Sequence, residues 1–247
     1  MTAPIPAATL VLFRQRGRVP ELLFVERSKA MVFAGGALVF PGGRIDPGDR
    51  ALALELGGDP EDMAARIGAI RETIEEVGLP IGLPPMPDAI FAELRAALHR
   101  GEALGAVLRE LDLALDPAQL VPFARWLPSH APARIFDTRF YLAQAPLDGP
   151  EAVVDDTENV RVFWSSAQGV LDDADAGRVR IIFPTRRNLE RLAQFDSFAA
   201  AAAHAAAHEI RAVTPWVEQR EGEEHLCIPD DLGYPITSEP IGGAMRG

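Results

Sequence analysis

The stretch Ile70-Arg71-Glu72-Thr73-Ile74-Glu75-Glu76-Val77-Gly78-Leu79, residues 70–79, decides how this chain is read. It crowds Glu72, Glu75 and Glu76 into five residues beside Arg71. Met63, Ile67, Ile70, Ile74 and Val77 are spaced 4, 3, 4 and 3 apart. At about 100° per residue they make one apolar stripe, which predicts an amphipathic helix. The helix runs from about Glu61 to Gly78, where Gly followed by Pro80 is a common stop. With Glu72 at the origin of a helical wheel, Glu76 falls near about 40° and Glu75 near about 300°, away from the stripe. Like charges at these spacings repel by a few tenths of a kcal/mol per pair. Taken alone, the three glutamates fit two readings. One is a solvated acidic face. The other is a divalent cation site, because hard cations take oxygen ligands and often share them with substrate phosphates.

The segment before this helix bears on that choice. Residues 37–40, ALVF, are β-prone and stop at Pro41-Gly42-Gly43. Residues 40–49, FPGGRIDPGD, follow a strand with two glycines and then bring Asp46 and Asp49. Glycine permits close backbone approach, and a carbonyl in such a turn can serve as a neutral oxygen ligand. Residues 44–60 read as loop with room for a short helix. Further upstream, 8–13 and 22–27 read as the strands of a hairpin.

Beyond the glutamates, a Pro-rich link leads into two helices at about 88–99 and 102–113. Residues 123–127, 138–145 and 159–164 read as strands, and 184–195 as a helix. Arg186 and Arg187, in the first turn of that helix, read as a solvated face. The last forty residues carry no strong period and read as an ordered tail with turns. Together these give one α/β domain over 1–247, with a helical insertion at about 82–118 and a C-terminal extension at about 209–247.

Composition narrows the function classes. The net charge of −12 argues against a general nucleic-acid surface. Cys227 is the one cysteine, so no intramolecular disulfide can form. The first residues lack a basic n-region, and no strongly apolar run is long enough for a membrane span. The expectation is a soluble, cytoplasmic protein.

Gly43, five intervening residues and Asp49, then Arg71-Glu72 and Glu75-Glu76-x-Gly78-Leu79, resemble the Nudix box, G-x5-E-x7-R-E-U-x-E-E-x-G-U. Asp49 stands at the first Glu, Thr73 at the first apolar position, and 21 residues rather than seven separate Asp49 from Arg71. The segment LLFVERSKAMVFAGGALVFPGG, residues 22–43, is similar to that of Nudix coenzyme A diphosphatases. Leu22, Leu23, Arg27, Ser28, Gly36, Phe40, Pro41, Gly42 and Gly43 match in register, while Phe24 and Val32 replace a Thr and an Arg. The long spacer, the insertion, and PARIFDTRFYLA at 132–143 resemble the peroxisomal-type acyl-coenzyme A diphosphatase branch and its bacterial relatives.

The resemblance implies a mixed sheet sandwiched between helices and a Mg²⁺- or Mn²⁺-dependent diphosphatase acting on a small molecule. Coenzyme A or an acyl-coenzyme A leads, ahead of NADH, ADP-ribose or a nucleoside triphosphate. A catalytically silent binding module is a further alternative. Carried over by position, Glu72 and Glu76 are metal ligands, Glu75 is a ligand or general base, and the Gly43 carbonyl is another ligand. Arg71 orients a glutamate by ion pairing. Glu158, just before the strand at 159, is a further metal candidate. Arg27, Arg134 and Arg139 are candidates for contact with substrate phosphate, which a guanidinium fork suits. The insertion can shape a substrate pocket or a homodimer contact.

Overall fold

The computed structural model describes residues 3–31, 34–128, 134–146, 149–154, 159–220 and 222–244. Its main sheet is mixed and centres on β1 (Ile5–Arg14). Along one edge β1 pairs in parallel with β6 (Phe136–Gln144), and β6 pairs antiparallel with β5 (Val121–Trp126). Along its other edge β1 has two neighbours. Phe13 and Arg14 meet β2 (Glu21–Arg27) antiparallel across the expected hairpin, whereas Ala7 to Thr9 meet β4 (Gly42–Arg44). β2 likewise divides one edge, giving Val25 and Glu26 to β3 (Ala37–Val39), while its other edge runs along β7 (Asn159–Ser165). Strands β1 and β2 therefore part company, and the β3–β4 segment enters the gap between them. Short strands β8 (Arg180–Ile181) and β9 (Ala212–Val213) extend the sheet at its ends.

Both faces of this sheet are covered, which is why the strand sequences read as continuous apolar runs rather than alternating ones. Leu10, Leu12, Leu23, Val25 and Tyr141 face one core, packed by helices α1 (Pro47–Leu56), α2 (Pro60–Val77), α3 (Asp88–His99) and α4 (Leu104–Glu110). Val11, Phe13, Leu22, Phe24, Phe140 and Leu142 face a second, packed by α5 (Ala167–Asp175), α6 (Phe183–Leu192) and α7 (Phe198–Ala206). This is the layered α/β arrangement expected from the sequence. Among the described residues no helix is long and apolar enough to cross a membrane.

The short helix that residues 44–60 left room for forms over 47–56 and is ten residues long. Its Gly, Pro and Asp residues gather at the ends. Pro47 stands in the first turn, and the Asp46 amide donates to the Asp49 carboxylate at 2.8 Å. The tail is more ordered than its period suggested. β10 (Trp216–Arg220), β11 (Glu223–Cys227) and β12 (Ser238–Pro240) form a separate antiparallel sheet. Ile228, Leu232 and Tyr234, between β11 and β12, are buried in the second core.

Candidate active site

Helix α2 is capped at both ends, with its C-terminal stop at Gly78 where the sequence indicated. The Asp59 side chain accepts from the Asp62 amide, Pro60 opens the helix, and Gly78 closes it in the left-handed conformation at φ 64. Ile67, Ile70, Ile74 and Val77 are fully buried against the sheet. The opposite side is not a solvated acidic face. The β3–β4 segment and the start of α1 lie over it, and Glu76 is only 6% exposed. Thr73, at an apolar position of the box, is fully buried and donates its hydroxyl to the Ala69 carbonyl at 2.7 Å. The helix thereby satisfies the one polar group that the substitution adds.

Arg71 organises the cluster. Nε and Nη2 donate to the two oxygens of Asp49 at 3.0 Å each, and Nη2 also donates to the Arg44 carbonyl at 2.8 Å. From Nη1 it reaches Glu72 at 3.0 Å and Glu75 at 3.3 Å. Asp49 is 1% exposed and Arg71 6%, so the bidentate pair is buried. The extra residues between Asp49 and Arg71 are absorbed by most of α1, the Gly57-Gly58 turn and the first half of α2, leaving the pairing intact. Burial works against the Arg71 charge, but Asp49, Glu72 and Glu75 together raise its pKa above the ordinary guanidinium value.

The Gly-Gly turn is shaped to the glutamates. The Gly42 amide donates to Glu76 at 3.0 Å. Gly42 has φ 154, and an added Cβ would lie 2.4 Å from the Ala8 carbonyl oxygen. At Gly43 a Cβ would lie 2.3 Å from the Glu72 carboxyl carbon. A side chain at Gly43 would displace that carboxylate from its place against the backbone. The other Glu76 oxygen accepts from Asn159 Nδ2 at 3.1 Å.

The charges are crowded and poorly hydrated. Burial pushes the Glu72 carboxyl up from 4.5 to about 8; Arg71 opposes the shift, and Glu76 and Glu75 add to it. Burial also raises Glu75, again against the pull of Arg71. Glu72, Glu75, Glu76 and the Gly43 carbonyl are all hard oxygen donors, the chemistry that suits Mg²⁺ or Mn²⁺. Among the described residues, no three acidic, histidine or cysteine side chains are gathered into a ready-made cation cage. In this state Glu72 and Glu75 face Arg71, while Glu76 faces Gly42 and Asn159.

Of the arginines singled out, Arg27 is brought close. It ends β2 opposite Asn159 on β7, beside the residue that holds Glu76. Arg139 is not. It meets Asp62 at 3.4 Å, an acid also bound by Tyr141 at 2.8 Å and Arg66 at 2.6 Å. Asp62 lies ten residues, about 15 Å, along α2 from Glu72. Arg134 is exposed just before β6. Glu158 lies outside the described residues, as does Val32.

Sequence reading missed Asn159, whose contact with Glu76 spans 83 positions. A polar residue opening an apolar strand was the one local signal. It also missed Arg95 and His99 on α3, which reach the Glu75 carbonyl. Their spacing of four on one helix face was the available hint.

No protein-family model matches the chain. Among curated proteins it is 28% identical over 234 residues to acyl-coenzyme A diphosphatase NUDT19 of Gallus gallus, a match that takes in 72% of this chain and 62% of the relative. The match thus spans under two thirds of that relative's length. Among solved structures it is similar to a NUDIX hydrolase from Alicyclobacillus acidocaldarius, with 30% identity and a TM-score of 0.72, covering 82% of this chain and 97% of that one. With that identity and coverage, and the box residues gathered as described, the chain belongs to the Nudix hydrolase family.

Proposed function

We propose that this protein hydrolyses the diphosphate bond of coenzyme A or an acyl-coenzyme A, releasing 3′,5′-ADP and phosphopantetheine or its acylated form. The observation that carries the reading is the convergence of Glu72, Glu75 and Glu76 with the Gly42-Gly43 turn. The substrate class is supported by the 28% identity to an acyl-coenzyme A diphosphatase and by the upstream pattern ending in Phe40-Pro41-Gly42-Gly43.

Glu72, Glu76 and the Gly43 carbonyl would hold Mg²⁺ or Mn²⁺, with Glu158 as a further ligand and Glu75 as a ligand or the general base. A bound divalent cation neutralises diphosphate charge and lowers the pKa of a coordinated water. The chain's own groups do the rest. Arg71 holds Glu72 and Glu75 by ion pairs and is itself fixed by Asp49, so its task is orientation. Glu75, with its raised carboxyl pKa, accepts a proton from the attacking water at its carboxylate. Gly42 and Asn159 fix Glu76 from two sides. Arg27, opposite Asn159 on β7, would donate to substrate phosphate.

The test is to incubate the protein with Mg²⁺ or Mn²⁺ and coenzyme A, an acyl-coenzyme A, NADH or ADP-ribose, and to read products by mass spectrometry. Release of 3′,5′-ADP from coenzyme A, lost in Glu76→Gln, is expected. Cleavage of NADH or ADP-ribose alone would keep the hydrolase and change its substrate. No cleavage of any of the four with either cation would overturn the coenzyme A reading.

A further inference from the structure

We infer that Arg95 and His99, on helix α3 of the insertion, are positioning residues for the carboxylates at the end of α2. The inference rests on the hydrolase reading above.

A helix leaves its last carbonyls without partners inside the helix. At the end of α2, Gly78 turns left-handed and its amide returns to the Ile74 carbonyl at 3.1 Å. The Glu75 carbonyl, in the same turn, is taken by α3. Arg95 donates to it from Nε at 3.2 Å and from Nη2 at 2.9 Å, and His99 Nε2 lies 3.0 Å away. The same Nη2 donates to the Val153 carbonyl at 2.9 Å, and the Val153 amide donates to the Val77 carbonyl at 3.0 Å. Arg95 therefore ties the backbone carrying Glu75 to Val153, which itself holds the Val77 carbonyl.

Two further observations point the same way. A Cβ at Gly78 would lie 2.7 Å from Arg95 Nη1, so this glycine serves the guanidinium as well as the turn. The charges themselves also need help. α2 carries three glutamates toward its C-terminal end, where the helix dipole disfavours negative charge, and its last turn holds no basic residue. Arg95 brings positive charge to that end from another element. The insertion thus has a task at the site besides covering the core through Leu94, Ala97 and Leu98.

The test compares Arg95→Ala, Arg95→Lys and His99→Ala with Leu98→Ala, which perturbs the packing of the same helix. Arg95→Ala is expected to lower kcat about 10- to 100-fold, the usual cost of losing a group that orients a ligand, with KM changed much less. Arg95→Lys recovers part of the loss, because an ammonium can satisfy one of the two carbonyls. His99→Ala gives a smaller loss of the same kind. Leu98→Ala lowers Tm and keeps kcat while folded. Calorimetric titration with Mn²⁺, without substrate, is expected to show about tenfold weaker binding in Arg95→Ala. Unchanged kcat in Arg95→Ala, or an equal loss in Leu98→Ala, overturns the positioning role. A wild type that binds Mn²⁺ and cleaves no diphosphate overturns the hydrolase reading alone; equal Mn²⁺ affinity in wild type and Arg95→Ala then overturns the positioning role too.

Discussion

Two buried arginine clusters lie on opposite faces of the sheet, and they are built differently. On α2, Arg71 stands against Asp49, Glu72 and Glu75, with Asp46 3.8 Å away and Glu76 close by. On α6, Arg187 is held by Glu190 at 2.9 Å and Glu239 at 2.7 Å, Arg186 pairs with Asp175 at 2.7 Å, and Arg191 lies over the Phe123 ring. The α6 cluster is nearly balanced and joins the C-terminal segment to the core, with Asn188, Trp126 and Tyr234 closing a hydrogen-bonded triangle beside it. The α2 cluster carries a marked excess of carboxylate. A protein can settle the first arrangement with its own groups. The second leaves carboxylates short of a counter-charge, which a bound cation would supply under the proposed function.

The largest expected effects break this comparison directly. Glu76→Gln keeps the side-chain volume and an oxygen to accept from Gly42. It should lower kcat by about 10²–10³-fold, the scale of losing one preorganised electrostatic group, while shifting Tm by no more than about 2–4 °C. Arg187→Met should do the reverse. Removing a guanidinium that is 1% exposed leaves Glu190 and Glu239 facing one another, at a cost of about 3–5 kcal/mol, with kcat unchanged in the folded protein. Denaturant unfolding and steady-state kinetics on both variants decide it. A catalytic loss in Arg187→Met equal to that of Glu76→Gln would end the distinction.

An intermediate effect sharpens it. Asp49→Asn removes the charge that fixes Arg71 but leaves Glu72 and Glu75 in place. Because Asp49 is part scaffold and part site, both readouts should move. Stability falls by about 1.5–3 kcal/mol, the worth of hydrogen bonds to a charged group. Activity falls about tenfold as Arg71 shifts toward the remaining carboxylates. A loss of stability with full activity would place Asp49 with the α6 type of cluster.

What the sequence made legible follows the range of the interactions. Arg71, Glu72, Glu75, Glu76 and Gly78 belong to little more than two turns of one helix. Their shared face follows from a period of 3.6, and no tertiary knowledge was needed. The apolar strand runs were legible for a similar reason, since a strand buried on both faces is marked by its own residues. Asn159 and Arg95 were not legible, because their partners lie 83 and 20 positions away, and nothing in a local window marks such contacts. Arg187 was misread as solvated. Its own helix gives no sign that residues beyond 227 fold back over it, bringing Glu239 and the Ile236 carbonyl to its guanidinium. Asp49 lay between these cases: its position was readable, but its hold on Arg71 depended on how the spacer folded.

The smallest expected effect separates the two clusters by pH. Burial raises Glu72 from 4.5 to about 8, and burial raises Glu190 from 4.5 to about 7 against the pull of Arg187. In both cases the folded-state value lies above the unfolded one. The native state therefore holds more protons than the unfolded chain between these limits, and stability falls as pH rises. The contribution is fully present below about pH 4.5 and is lost through about pH 7 for Glu190 and about pH 8 for Glu72. With solvent relaxation, a drop on the order of 1–2 kcal/mol per group is expected across that window. The remedy should differ. Glu190→Gln removes its share of the slope whether or not a cation is present. Saturating Mn²⁺ should remove the Glu72 share instead, because the ion binds the ionised carboxylate and rewards deprotonation in the native state. Denaturant unfolding from pH 5 to 9, with chelator and with Mn²⁺, reads both. If Mn²⁺ leaves the wild-type slope unchanged while Glu190→Gln abolishes all of it, the α2 carboxylates are a structural network like the one on α6, and the contrast between the two faces fails.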